Sequence, residues 1–416
     1  MPGRVYPVPD FILLILTFIT CLVFFNVTMH AQSPIADTLK ERKILSNEED
    51  VGDLFREVLK RPPHVRTDSI KKTSLGPFYT PILYPGYALV TGYLIGLANN
   101  ISFYTHKDKH AKLSAILIEN IYTQYKQYIN IARSNVWLNK NKINLLGDWR
   151  YYKFPTKTFG LGSATRTADA DAVDYSHVRI NEAAIMRIVG HLSGGAGVNI
   201  DYHYNIKESE PAHTDNDLNR YGLSKTSLSS GITLYIQYDN RVNSNNPLKG
   251  AYANVQLRNN LKTLGSSSNW QSATVDLRYY IPLSERSHNT LALWSYNCFT
   301  LSGKPPYFDL PSTSWDTYNN TAREYVEGRF RGLNFIYGEA ECRFRITKNE
   351  LFGGVVFTNV SSLSDWPSNR FEKPIPGAGL GLRIKINKFS GSNLCIDYGF
   401  GINGSKGLSF NINEVF

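Results

Sequence analysis

From Thr73 to Phe416, apolar and polar positions alternate in pulses separated by Gly-, Asn- and polar-rich breaks. Ile232, Leu234 and Ile236 oppose Thr233, Tyr235, Gln237 and Asp239. Val198, Ile200 and Tyr202 oppose Asn199, Asp201 and His203. Val275, Leu277 and Ile281 oppose Thr274, Asp276 and Arg278. Period-2 alternation predicts strands with one aqueous and one apolar side. The sharpest case is Phe335–Ile346, which sorts Glu339, Glu341, Arg343 and Arg345 from Ile336, Ala340, Cys342, Phe344 and Ile346. The pattern predicts strands at Tyr87–Leu97, Lys112–Thr123, Tyr128–Leu138, Ile143–Phe154, Val178–Val189, Leu192–Tyr204, Gly231–Asp239 and Ala251–Leu261. It continues with Gln271–Leu283, Thr290–Leu301, Phe335–Ile346, Leu351–Val360, Gly379–Ile386, Leu394–Phe400 and Leu408–Phe416.

Many of these pulses exceed the five or six residues usual in a soluble sandwich and reach the length that crosses a bilayer at a tilt. The expected fold is all-β, a transmembrane antiparallel β-barrel over residues 73–416. About fifteen pulses are visible and single-chain outer-membrane barrels have even strand numbers, so about sixteen strands are expected. The missing one is placed near Leu75–Leu83, and the seam of the barrel near Phe410, Ile412 and Phe416.

The first residues break this pattern. Arg4 precedes an apolar run from Phe11 to Val27, and Met29-His30-Ala31 is followed by polar sequence. This layout predicts a cleaved signal peptide over residues 1–31, with an uncleaved anchor as the alternative. A lipidated Cys21 is disfavoured because Thr20 precedes it. Residues 32–72 are expected to form a short periplasmic segment with one helix. Ser46 and Glu49 suggest a capping box, Val51, Leu54, Phe55, Val58 and Leu59 form the apolar stripe, and Pro62 and Pro63 end it.

Composition fits an exported barrel. Aromatics make up 13% with 26 Tyr, as interfacial girdles require, and the mean hydropathy of -0.28 fits a polar lumen inside an apolar exterior. The formal charge of +10 suits a positive lumen or anionic lipid headgroups, and no nucleic-acid motif accompanies it. Cys298, Cys342 and Cys395 are read as buried small residues, with neither disulfide nor metal-ligand spacing. Asp169, Asp171 and Asp174 lack the loop of a calcium site. Ser193-Gly194-Gly195-Ala196-Gly197 precedes a strand and is read as curvature rather than a phosphate loop. The nine histidines form no catalytic arrangement, so neither enzyme, metal nor cofactor is expected.

Several segments resemble the BamA/TamA superfamily of bacterial outer-membrane barrels, the surface-antigen-like members above all. Tyr238-Asp239-Asn240-Arg241 followed by Asn246-Pro247-Leu248-Lys249-Gly250 resembles the family's aspartate–arginine and N-P-x-x-G turn. Glu341-Cys342-Arg343 resembles its Glu-x-Arg strand. Gly379-Leu380-Gly381-Leu382-Arg383 and Asp397-Tyr398 resemble strands near its end. The resemblance spans roughly Lys72 to Phe416, so Asp239, Arg241, Pro247 and Gly250 are candidate turn-motif residues.

The family's signature is an Arg-Gly-aromatic tripeptide on a long extracellular loop that folds into the lumen, where the arginine meets acidic groups. Here that loop would run from about Ser302 to Phe330. Arg323-Glu324-Tyr325 has the better spacing to Glu341 but lacks the glycine. Arg331-Gly332-Leu333 keeps the glycine but lacks the aromatic. The Arg323 register is preferred, with both retained. The implied clasp comprises Arg323, Tyr325, Arg331, Glu341, Arg343 and Asn359. A buried guanidinium needs a carboxylate. Asn359 stands where the family places a second acid, which implies weaker or differently arranged docking.

The resemblance implies a role in outer-membrane protein or lipid assembly or translocation, localisation to the bacterial outer membrane, and no cofactor. Residues 32–72 cannot hold a POTRA domain, which implies a barrel-only member served by partner subunits. Expected partners are outer-membrane lipid, periplasmic or outer-membrane proteins, and a second copy of the chain. The alternative is a passive channel or structural scaffold.

Overall fold

The computed structural model describes residues 48–60, 75–107, 111–208, 216–222, 224–284, 288–388 and 391–416. The expected signal peptide and most of residues 32–72, Ser46 included, lie outside the described residues. Seventeen strands follow one another: β1 (Phe78–Ala88), β2 (Gly92–Phe103), β3 (Ser114–Thr123), β4 (Tyr128–Leu138), β5 (Ile143–Lys153) and β6 (Thr156–Thr158). Next among the described residues come β7 (Asp171–Val189), β8 (Leu192–Glu208), β9 (Ser227–Asp239), β10 (Gly250–Asn260), β11 (Trp270–Pro282) and β12 (Thr290–Gly303). The series ends with β13 (Asn334–Arg345), β14 (Phe352–Leu363), β15 (Ile375–Asn387), β16 (Ser392–Gly401) and β17 (Lys406–Ile412). Each long strand pairs antiparallel with its chain neighbours. The three-residue β6 extends the edge of β5 along β7, leaving sixteen long strands.

The antiparallel meander sends the connections β5–β7, β8–β9, β12–β13 and β14–β15 to one end, here the loop end. Connections β4–β5, β7–β8, β13–β14 and β15–β16 reach the other, the turn end.

Which face is buried separates this barrel from a soluble sheet. Asn199, Asp201 and His203 are buried, while Val198, Ile200 and Tyr202 between them are exposed. Likewise Thr233 is buried and Ile232, Leu234 and Ile236 are exposed. Water would penalise an apolar outer surface of this extent, whereas hydrocarbon rewards it. Cys342 sits on that outer face and is exposed, which corrects the reading of all three cysteines as buried; Cys298 is half-buried and Cys395 buried.

The edges differ from expectation in register. The expected strand Tyr87–Leu97 straddles the β1–β2 turn, and the missing strand is β1. β17 stops at Ile412, and Asn413, with φ 72°, turns the chain inward. Phe410 and Ile412 remain on the exposed outer face of β17, but Phe416 is no part of a seam. β1 and β17 lie side by side, yet among the described residues β1 has a ladder with β2 and β17 with β16, and no ladder joins β1 to β17. Pro81 and Pro85 of β1 withhold two N–H donors, and proline in a sheet belongs to edges.

At the turn end, helix α1 (Val51–Val58) is capped one turn later than the sequence suggested. The Asp53 N–H donates to Asp50 Oδ1 at 3.0 Å and the Asp50 N–H to Asp53 Oδ2 at 3.3 Å, a reciprocal box built from aspartates. Lys388 Nζ lies 2.7 Å from Asp53, and the Asn349 amide donates to Glu49 at 2.6 Å. The helix thus docks by its acidic start, while Leu54 and Leu59 of the predicted stripe stay exposed. At the loop end a short helix, α2 (Asp217–Tyr221), is capped by Asn216.

Candidate functional site

The β12–β13 connection, residues 304–333, crosses the lumen. Its base is tied by Arg331, whose Nη1 donates to the carbonyls of Leu310, Tyr307 and Phe308 at 3.0, 3.3 and 3.4 Å. Phe308 stacks on Tyr175 of β7 at 4.5 Å, and Ser229 of β9 donates to Asp309 at 2.6 Å. Behind Asp309, the rings of His177 and His203 stack at 4.1 Å, and Asp201 is held by Arg179 at 2.6 Å and Arg258 at 2.7 Å.

Asp316 then accepts hydrogen bonds from the backbone of Asn320 and Thr321, both at 2.8 Å, closing a tight elbow. The elbow reaches the wall made by β4 and β5, where the Thr317 carbonyl accepts from Arg133 at 3.0 Å and Arg150 at 2.9 Å. Trp315 lies 5.5 Å from the guanidinium of Arg179 on β7.

The chain returns to the opposite wall at Arg323. Its Nη2 lies 2.6 Å from Glu341 and 3.0 Å from Glu339, both on β13, and its Nε lies 3.4 Å from Asp397 on β16. The Phe357 ring of β14 sits 3.8 Å from the guanidinium. Period-2 geometry explains the set: residues 339, 341, 357 and 397 all occupy inward positions of neighbouring strands. Arg331 is not in this set; its side chain bonds the loop's own base.

Glycines of the wall make room for Glu324. A Cβ on Gly377 would collide with the Glu324 carboxylate, and one on Gly407 with the Arg323 carbonyl. Glu324 on the loop accepts from the Asn359 amide on the wall at 3.1 Å. Tyr325 donates to the Pro376 carbonyl and accepts from the Ile402 N–H, both at 2.8 Å.

Below the clasp, Arg343 bonds Glu341 at 2.7 Å, and Arg383 bonds Asp397 at 2.5 Å and Glu414 at 2.8 Å. Three guanidiniums (Arg323, Arg343, Arg383) therefore meet four carboxylates (Glu339, Glu341, Asp397, Glu414), and the Tyr337 hydroxyl donates to Glu339. The inturned residues after β17 join this network. Arg343 donates to the Phe416 oxygen at 3.1 Å, the Phe416 ring stacks on Trp294 at 5.0 Å, and Asn320 of the loop donates to the Val415 carbonyl at 2.7 Å.

The turn-motif residues lie apart from the clasp, at the turn end. Arg241 grips Asp239 with two bonds of 3.0 Å, Pro247 is buried, and Gly250 has φ 110°, where a side chain would strain the backbone. The neighbouring Asn245 carbonyl accepts from the Glu414 N–H at 2.9 Å, so this turn supports the tail. Glu324, Glu339, Asp397 and Glu414 were not singled out as clasp residues from sequence. Inward parity on the last strands marks Glu339 and Asp397, but no local signal marks Arg133 and Arg150.

Two outcomes follow. Arg323→Ala should expose Trp315–Phe330 to protease, whereas Arg331→Ala should expose Tyr307–Leu310; identical cleavage patterns would overturn the division of labour. The second concerns Asp309, whose carboxyl is pushed up to about 7 by burial and by Asp201, against the pull of Arg258. A released loop would ionise it near 3.8, so docking loses stability as pH rises from about 4 to 7 and levels off above. Hydrogen exchange of residues 307–331 should show that component in wild type and not in Asp309→Asn; equal pH profiles would contradict it.

An Omp85 superfamily domain matches residues 94–305, about half of the chain. No curated protein matches it. Among solved structures, the chain is similar to BamA from Haemophilus ducreyi lacking POTRA domains 1-3, at 13% identity and a TM-score of 0.54, covering 82% of this chain and 70% of that one. It is also similar to CdiB from Acinetobacter baumannii, at 14% identity and a TM-score of 0.53, covering 80% and 59% respectively. At such identities the likeness concerns the fold, that of a bacterial outer-membrane barrel. The chain belongs to the Omp85 superfamily.

Proposed function

We propose that this protein acts in assembling or translocating proteins or lipids at the outer membrane, working at a weakly zipped seam between β1 and β17. The observation that carries the reading is that these strands lie side by side without a ladder. Each edge retains backbone donors and acceptors that an incoming strand can pair with, and Pro81 and Pro85 lower what β1 gains by zipping to β17. The bridging loop braces the walls while the seam opens. Client reception is assigned to periplasmic or outer-membrane partner proteins, and the loop end to the cell exterior.

A passive channel needs a continuous water path. A loop bonded to Arg133 and Arg150 on one side and to Glu341 on the other stands across it, which speaks against that alternative.

Depletion with quantitative proteomics and lipid analysis of the outer membrane tests the reading. A selective loss of outer-membrane proteins, or an altered lipid profile, is expected. An unchanged protein and lipid profile would sink it.

A further inference from the structure

Beside the clasp, at the loop end, lies a cavity of about 220 Å³ between the loop and the β16–β17 turn, far above the roughly 15 Å³ that admits one water. Phe159, Tyr325, Val326, Phe330 and Ile402 form its apolar walls, Thr167, Asn403 and Ser405 add polar groups, and Arg329 lies on one side. That guanidinium lies 4.2 Å from the Phe330 ring and 4.8 Å from the Phe159 ring. It donates to the Thr165 carbonyl at 2.8 Å and the Thr165 hydroxyl at 2.9 Å.

Arg329 is only 5% exposed, yet among the described residues no carboxylate lies within ion-pair distance of it. Arg150, Arg323, Arg343 and Arg383, also buried, each hold a carboxylate within 3 Å, and Arg331, which has none, has three carbonyls around its Nη1, whereas Arg329 has the oxygens of Thr165 alone. Burial pulls the Arg329 pKa down, with Tyr325 and Asp169 opposing, so the site already bears the cost of a desolvated cation without a counter-charge. Aromatic rings and one threonine leave that charge unneutralised.

We propose that this cavity is a binding site for a small amphiphilic anion, a phosphate or carboxylate carried on an apolar group. The acidic group meets Arg329, and the apolar group fills the space against Phe159, Phe330 and Ile402. Tyr325 lines the cavity and also bonds Pro376 and Ile402, so an occupant would strengthen the docking of the clasp segment. The inference stands independently of any assembly role.

The test uses the full chain in phosphatidylcholine nanodiscs, with benzyl phosphate, benzyl alcohol and inorganic phosphate as probes and ligand-observed NMR as the readout. Benzyl phosphate should bind saturably, and both other probes at least about tenfold more weakly, the scale of one charge-assisted bond or of one buried apolar group. Arg329→Gln should lose a similar factor. Val326→Phe keeps the cation and fills the cavity, and it should abolish binding while the protease pattern of the loop stays that of wild type. Absence of saturable binding to wild type would overturn the proposal, as would undiminished binding to Arg329→Gln or Val326→Phe. Inorganic phosphate matching benzyl phosphate would overturn the amphiphilic site.

Discussion

A guanidinium buried in a lumen is costly without a counter-charge, and the Arg323 group organises much of what surrounds it. Breaking a buried ion pair by removing one partner costs roughly 3–5 kcal/mol, and Arg323 has three carboxylates within 3.4 Å. Those carboxylates recruit Arg343 and Arg383, which in turn hold Glu414. The strands that supply them, β13, β15 and β16, are thereby cross-linked on their inner face. On the opposite side, β4 and β5 are tied to the same loop through Thr317, and β9 through Asp309.

Glu324 and Asn359 bond each other across the gap between loop and wall. An acid on the loop needs volume and a donor. The β15 and β17 backbones provide the volume by carrying Gly377 and Gly407, and Asn359 provides the donor. Asp397 adds a third carboxylate to those around Arg323.

Much of the wall was legible in the sequence, because a two-residue period states directly which residues share a face. The boundaries of β4 follow from that period to the residue. It could not place the first turn, since apolar positions run on from Tyr87 through Leu97 across the β1–β2 hairpin. Nor could it show that the chain bends inward after Ile412, a step set by Asn413 and by partners on β13 and β15 far away in sequence. Spacing pointed to Arg323 and Glu341. The contacts of Thr317 with Arg133 and Arg150 span more than 160 residues, and no local pattern encodes them.

Among the described residues β1 and β17 share no ladder, while the walls at β4, β5 and β13 are tied to the loop from within. A double-mutant cycle on Arg323→Ala and Glu341→Ala, read by hydrogen exchange of the amides of residues 318–328, tests the bracing most directly. The account predicts a coupling of at least about 1.5 kcal/mol, as for contacting residues in one buried ion-pair network. Additive effects of the two substitutions would contradict it.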